Sequence, residues 1–257
     1  MKSPANSGER AMSRHAAAVR AADPTLDGLS LERVEAPSRS DRVYRQLRER
    51  LMRGILKPHQ RLRIRELAAA LGTSETPVRE AIFQLVRDGG LELKPHHYIR
   101  VRRLSLAEYF ELRDIRLLLE PLAAERALEH IDAAMIDRLA TIHKTLIAAE
   151  KNRDYYSAIQ ANFDFHFGIY LRSGMPQLID LLENLWIQVG PMLNHLYPHG
   201  HPTYDGRHQH EHVLKALRSR DGAALSAAIR DDMLEGGRYF VRHLEKLERE
   251  AAETTNE

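Results

Sequence analysis

The chain has 257 residues and contains no cysteine, which excludes disulfide bonds, thiolate metal sites and a cysteine nucleophile. No apolar run approaches the length of about 20 residues that a membrane-spanning helix needs. The basic N-terminus is not followed by the apolar stretch of a secretory signal. We therefore expect a cytoplasmic protein without a membrane partner.

The charge of the chain is divided unevenly along its length. Residues 1–103 hold 21 Lys and Arg against 12 Asp and Glu, whereas residues 104–257 hold 17 against 24. A basic half joined to an acidic half is expected when only one half contacts a polyanion such as DNA. Chance segregation of solvated surface charge would produce the same totals, so the motifs must decide.

The predicted elements begin after an Ala-, Arg- and Ser-rich segment, residues 1–37, which we interpret as a disordered tail. A first helix follows a Ser40/Asp41 cap signal and ends at Gly54. A second runs from Arg65 to Leu71. A third begins near Thr76, which suits an N-cap with Pro77 as the first helical residue, although Ser74 could cap one step earlier.

Two short strands, 91–94 and 98–102, are predicted next, around a tip at Pro95-His96-His97. Three helices with a short turn between the second and third, followed by a hairpin, describe a winged helix-turn-helix over residues 38–103. We expect the third helix to enter the major groove of DNA.

Beyond Leu104 the apolar positions recur at helical spacing, with no strand alternation. This pattern predicts an all-helical bundle over residues 104–248 and a flexible C-terminus at 249–257. The predicted fold is thus mainly α, with a small β wing in the N-terminal domain. The predicted helices span residues 106–129, 133–151, 155–172, 177–196, 210–220 and 223–246.

The third helix supplies the candidate DNA-reading residues, because its apolar face points inward. Arg79 can donate two hydrogen bonds to guanine O6 and N7, and the hydroxyls of Ser74 and Thr76 suit phosphate oxygens. Glu75 lies on the same outer face, and Arg65 begins the preceding helix. For each residue taken alone, a solvated helix surface is the alternative.

The segments that carry a family resemblance are Gly54-Ile55-Leu56-Lys57-Pro58, Arg61-Leu62, Glu66-Leu67-Ala68, Leu71-Gly72 and the run from Ser74 to Ile82. Over residues 40–103 they resemble the DNA-binding domain of GntR-type regulators. We expect a homodimer through the effector half, because an operator with inverted-repeat half-sites requires two recognition helices. We expect repression, because a bound dimer can block polymerase. Two positions depart from the family pattern. Glu75 stands where Arg is usual, and His96-His97 stand where the wing tip usually has Gly.

The acidic half contains the runs Arg113 to Glu120, Asn162 to His166 and His210 to His212, followed by Ala216-Leu217. It resembles, over about residues 104–245, the FCD effector domain of the FadR-like subgroup. The resemblance implies a divalent metal, zinc or nickel, held by Asn162, His166, His210 and Asp232. Asn and Asp replace more usual ligands in this set, so a polar pocket without metal remains the alternative.

The resemblance also places Arg116 in the effector pocket, together with His166 and His210, where the guanidinium would bind a small carboxylate. The alternative for Arg116 is a surface salt bridge with Glu120. We interpret His199, His201 and His208 as residues of a solvated loop. The aromatic side chains Phe163, Phe165, Phe167 and Trp186 are expected in the core.

Enzyme motifs are absent from the sequence, which contains no H-E-x-x-H, G-x-S-x-G, Walker A or G-x-G-x-x-G run. A metal-dependent hydrolase would be the rival function, and a structural interaction protein would not need the basic half. We therefore predict a DNA-binding regulator that senses a small organic acid and is not an enzyme.

Overall fold

The computed structural model describes residues 38–94, 98–197 and 208–255, and residues 38–257 form one compact unit. The predicted tail (1–37), the wing tip at His96-His97 and the loop histidines His199 and His201 lie outside the described residues. The N-terminal elements are α1 Arg39–Met52, β1 Arg61–Leu62, α2 Ile64–Ala70, α3 Glu75–Arg87, β2 Leu91–Lys94 and β3 Tyr98–Val101. The C-terminal elements are α4 Leu106–Ala127, α5 Ala133–Lys151, α6 Tyr155–Tyr170, α7 Pro176–Val189, α8 Gln209–Ser219 and α9 Gly222–Thr255.

The first helix begins earlier than expected, and the third begins at the earlier of its two predicted caps. The hydroxyl of Ser38, not Ser40, accepts a hydrogen bond from the backbone N–H of Asp41, whose carboxylate accepts in return from the backbone of Ser38. This capping box satisfies two of the first backbone donors of α1. Helix α3 has Ser74 at its N-cap position, so Thr76 already lies inside the first turn.

The winged helix-turn-helix is confirmed, with the turn between α2 and α3 at residues 71–74. Strands β2 and β3 pair antiparallel from Leu91 opposite Val101 to Lys94 opposite Tyr98. A third strand, β1, adds Arg61 and Leu62 to the free edge of β3. It has only two residues, too few for an alternating pattern to reveal.

The C-terminal half is the predicted helical bundle, with two corrections. Helix α7 ends at Val189, where a 3-10 turn, Gly190–His195, takes over. Helix α9 continues to Thr255, beyond its predicted end at residue 246 and into the segment 249–257 that was predicted as the C-terminal tail. None of the helices in the described ranges is both long and apolar enough to cross a membrane.

The two halves are not separated by a linker but share one core. Buried Leu51 of α1 and buried Ile187 of α7 belong to the same apolar cluster. The side-chain amide of Asn194 donates to the carbonyl of Gly54 at 2.8 Å. The end of the first helix is therefore held directly by the effector half.

The closest backbone approach at this junction involves Gly190. A Cβ atom at Gly190 would lie 2.3 Å from the carbonyl oxygens of both Leu51 and Met52. No carbon atom can occupy that position unless α1 moves away from the turn after α7. The glycine is thus required by packing rather than by its backbone angles, which are helical.

We expect Gly190→Ala to lower the free energy of unfolding by about 1–3 kcal/mol, because the added methyl group overpacks against backbone atoms. Gly222→Ala is the matched control, since its Cβ would meet no backbone atom but only side-chain atoms, of Glu125 at 3.2 Å and of Leu128 at 3.5 Å. Urea denaturation followed by circular dichroism measures both. Equal stability of the two variants would show that the junction is looser than this geometry.

Candidate DNA-reading helix and effector cavity

All five predicted DNA-binding residues are exposed and lie on α2, α3 or the turn between them: Arg65, Ser74, Glu75, Thr76 and Arg79. The opposite face of α3 is buried, with Val78, Ile82 and Leu85 fully enclosed. A nitrogen of the Arg79 guanidinium lies 3.7 Å from an Oε of Glu75. Both side chains are about half exposed, so this ion pair is weak and leaves Arg79 available to another partner.

A cavity of about 90 Å³ lies between α4, α6, α7 and α9 in the effector half. It contains three of the four predicted metal-binding residues, Asn162, His166 and Asp232, and also Arg116. Asn162 and His166 are one turn apart on α6, so their side chains leave the same helix face. The volume is below that of typical drug-sized pockets, so any ligand that fits without a conformational change is small.

Two imidazoles and one carboxylate converge beside this cavity. Nε2 of His166 lies 3.2 Å from Asp232 Oδ2 and 3.3 Å from Nε2 of His210. Nε2 of His210 is 3.7 Å from Asp232 Oδ1, and the ligand atoms of all three residues lie within 4.8 Å of one another. Burial, together with the neighbouring imidazoles, lowers the pKa of His210 well below its usual range. The ring is therefore neutral near pH 7, as a metal ligand must be.

The second ring nitrogen of His166 is held by a hydrogen-bond chain. Tyr170 donates its hydroxyl proton to Glu120 Oε2 at 2.7 Å, so its oxygen accepts from Nδ1 of His166 at 3.1 Å. This arrangement has Nδ1 of His166 donating to Tyr170, while Nε2 faces Asp232 and His210 and is the nitrogen available to a metal ion. Such a partner behind a ligating imidazole is typical of metal sites.

The hydrogen-bond chain behind His166 ends at the buried carboxylate of Glu120, whose role the sequence analysis missed. Its side chain is fully buried, and Oε1 accepts from Nε of Arg116 at 2.5 Å and from the indole nitrogen of Trp186 at 2.8 Å. The Arg116–Glu120 pair predicted as a surface alternative therefore exists, but inside the protein. The four-residue spacing on α4 was the available signal.

Arg116 lines the cavity as predicted, yet its charge is already neutralised by Glu120. Two carboxylates therefore lie at or directly behind the cavity wall, those of Asp232 and Glu120. Nε is the only guanidinium nitrogen of Arg116 with a hydrogen bond in the described part of the chain. Its two terminal amino groups can still reach a ligand.

The aromatic and histidine predictions have mixed outcomes. Phe163, Phe165 and Phe167 are buried in the core as expected, and buried Trp186 also lines the cavity. The prediction that His208 lies on a solvated loop is wrong. This residue is buried at the start of α8, where its Nδ1 accepts a hydrogen bond from the backbone N–H of His210.

We expect Glu120→Gln to lower the free energy of unfolding by about 3–5 kcal/mol, because it leaves the buried Arg116 charge without a counter-charge. Glu49→Gln is the matched control: it neutralises an exposed partner of Arg53 at the same four-residue spacing and should cost less than about 1 kcal/mol. Chemical denaturation measures both. Similar losses in the two variants would show that the buried pair has no special weight.

Comparison with known proteins agrees with this architecture. Residues 39–101 match the bacterial regulatory proteins of the gntR family, and residues 111–234 match the FCD domain. The chain is 34% identical over 181 residues to the HTH-type transcriptional regulator McbR of Escherichia coli K12, which covers 70% of this chain and 82% of McbR. It is 26% identical over 199 residues to the HTH-type transcriptional repressor RspR of E. coli K12, over 76% of this chain and 86% of RspR.

Solved structures show the same fold. The structure of E. coli McbR/YncC superposes with a TM-score of 0.72 at 30% identity, over 80% of this chain and 99% of that one. A GntR-family regulator from Pseudomonas syringae pv. tomato has a TM-score of 0.51 at 22% identity, over 84% and 92% of the two chains. The matched families and relatives are transcriptional regulators and not enzymes. The chain therefore belongs to the GntR family of bacterial transcriptional regulators and carries an FCD effector-binding domain.

Proposed function

We propose that this regulator is a cytoplasmic repressor that binds an inverted-repeat operator as a homodimer and responds to a small carboxylate held beside a divalent metal ion. The observation that carries the effector part of this proposal is the convergence of His166, His210 and Asp232 beside the cavity. The likeness to RspR, a repressor, supports the sign of action.

DNA reading is assigned to the exposed end of α3 with the adjacent turn. The N-terminus of α3 and the hydroxyls of Ser74 and Thr76 suit phosphate oxygens, while Arg65 at the start of α2 can reach the backbone or a base. Arg79 is long enough to exchange its weak pair with Glu75 for a guanine edge. Glu75 would then remain next to the groove, where it repels phosphate and can accept a hydrogen bond from cytosine N4.

A dimer follows from the operator symmetry, since two half-sites require two recognition helices on one particle. We assign the subunit contact to the effector bundle. The outer face of α4 carries exposed Leu118 and Ile115, which are 69% and 39% accessible in the isolated chain. A second copy of the chain would bury these apolar side chains.

We expect Arg79→Ala to weaken operator binding by about 1–3 kcal/mol while changing affinity for random DNA much less, because a lost base contact costs only where the base is present. Arg87→Ala removes the same charge from the far end of α3 and is the control. Fluorescence anisotropy on the two DNAs measures the effect. If both variants weaken both DNAs equally, Arg79 contacts only phosphate.

The metal is assigned to His166, His210 and Asp232, with Asn162 as a fourth ligand on the cavity wall. Two imidazole nitrogens and a carboxylate oxygen suit zinc or nickel, and the hydrogen-bond chain behind His166 orients one of them. When bound, the ion would supply a positive charge and an open coordination position. The residues that line the cavity would hold the effector next to the ion and limit its contact with water.

The effector is assigned as an acid because of how the ion changes the charge at the cavity. In the described part of the chain, Arg113 and Arg116 on the wall face Asp232 and Glu150, and Glu120 lies directly behind Arg116. Arg113 is in turn paired with Asp114, so two cations stand against four carboxylates and leave no positive excess. A divalent ion offsets this negative charge, so a carboxylate could bind the ion and the free amino groups of Arg116 together.

A contact path connects this cavity to the DNA-binding half. Phe163 and Asp164 follow Asn162 on α6, and the guanidinium of Arg53 lies 4.6 Å from the Phe163 ring centre and 2.8 Å from Asp164 Oδ1. Arg53 is the C-cap of α1. A ligand that shifts this turn of α6 would move the end of α1, provided that its affinity differs between the two arrangements.

We expect small organic acids to stabilise the zinc-loaded protein against heat and to change its operator affinity about tenfold. The protein stripped of metal by chelation should show neither response. The reason is that the ion offsets the negative charge around the cavity, as described above. Thermal shift and anisotropy measure the two responses, with the neutral amide of each acid as the control. An acid that acts equally on chelated protein would contradict the role of the ion.

A further inference from the structure

A second cluster of imidazoles lies next to the first and shares His210 with it. Its members are His143 of α5, His208 at the start of α8, and His210. Each offers one ring nitrogen, and these three nitrogens lie within 4.8 Å of one another. The ring centres of His143 and His208 are 5.0 Å apart, and those of His208 and His210 are 4.4 Å apart. All three residues are buried, at 8%, 8% and 0% exposure.

Two nitrogens of this cluster have no hydrogen-bond partner. These are Nδ1 of His210 and Nδ1 of His143, for which residues 38–94, 98–197 and 208–255 supply no donor or acceptor. An unpaired buried polar atom is unfavourable and calls for a partner such as a metal ion or a trapped water molecule. The His210 ring is held in place by Phe165, which stacks on it at 3.8 Å between centres with 7° between the planes.

We propose that His143, His208 and His210 form a second site for a nitrogen-preferring divalent ion such as Zn²⁺ or Ni²⁺, as an alternative to the site at His166 and Asp232. Three imidazoles without a carboxylate suit these ions rather than Mg²⁺ or Ca²⁺. His143 also lines a groove between α5 and α8, with Lys144 and Glu211. The cluster therefore borders this groove through His143 and the effector cavity through His208.

The shared ring makes the two sites exclude each other. Nε2 of His210 faces His166 at 3.3 Å and Asp232 at 3.7 Å, and Nδ1 is the ring nitrogen left for the second cluster. A neutral imidazole has one lone-pair nitrogen and one N–H. An ion on Nε2 therefore puts the proton on Nδ1, and an ion on Nδ1 puts it on Nε2, where it can donate to His166 or Asp232.

The second site should be the weaker of the two. Nδ1 of His208 accepts from the backbone N–H of His210 at 3.1 Å, and ligation through either nitrogen of His208 disturbs this contact or the tautomer that it requires. The first set also contributes the negative charge of Asp232. We therefore expect the ion to occupy the first site in the wild-type protein and the second when the first is damaged.

The test uses the whole chain after its metal has been removed by chelation. Zn²⁺ is titrated into this protein in competition with a chromophoric chelator, which gives the number of ions bound and their affinity. His166→Leu damages the first set, His143→Leu damages the second, and the double variant damages both. His212→Leu, which removes an exposed imidazole two residues from His210, is the control. Because buried substitutions can disturb folding, Asp232→Asn with and without His143→Leu provides a second, nearly isosteric background. Circular dichroism verifies that each protein is folded.

We expect one ion per chain in the wild type, in His143→Leu and in the control, with equal affinities. His166→Leu should still bind one ion, but with an affinity at least about tenfold lower than that of the wild type. Adding His143→Leu should lower the affinity by a further factor of about ten or more. The same dependence on His143 should appear in the Asp232→Asn background. If His143→Leu changes nothing in either damaged background, the second site does not exist. Loss of metal from His143→Leu alone would instead contradict the first site.

Discussion

The effector half is organised around one buried charge, the carboxylate of Glu120. A carboxylate without solvent is tolerated only when its oxygens are paired and hydrogen-bonded, and here Arg116, Tyr170 and Trp186 from three helices do so. These contacts connect α4, α6 and α7 at one point. Through Tyr170 they also orient His166, so the position of the candidate metal ligand depends on a residue that does not touch the cavity.

The same carboxylate decides what the cavity can bind. Because Glu120 neutralises Arg116, the arginine alone does not make the cavity attractive to an anion, and the sign of the local charge depends on whether a cation is bound next to it. The shared ring of His210 extends this dependence to His143 and His208. Under these proposals, the position of the His210 proton, the position of the ion and the effector preference would be connected through one imidazole.

The junction between the two halves explains how such a change could reach DNA. There is no flexible linker to absorb a movement, since Gly190 packs against the carbonyls of Leu51 and Met52. Arg48 of α1 also pairs with Glu183 of α7 at 2.6 Å. Tight packing transmits displacement because a close-packed contact has few alternative arrangements. The end of α1 and the C-terminal part of α7 are thus held together by backbone packing and an ion pair.

The sequence by itself determined the elements and the fold class, because helical periodicity, Gly and Pro breakers and a long specific motif are local signals. The exposed face of α3, with Arg79 and Glu75 on it, also followed from spacing alone. The two-residue strand β1 did not follow from the sequence, because its pairing with β3 stabilises it, and neither did the extension of α9 to Thr255. Spacing placed Asn162 and His166 on one helix face, and the resemblance to the FCD domain added His210 and Asp232.

Only the tertiary structure decided which charges are buried. Arg116 and Glu120 are one turn apart on α4, and their spacing is the same for a surface pair as for a buried one; packing by Tyr170 and Trp186 makes the difference. His208 appeared to be a loop residue because its neighbours in sequence are polar, yet it is buried next to His143 from a helix far away in the chain. Contacts between distant segments set burial, and burial sets whether a side chain is solvated, paired or available as a ligand.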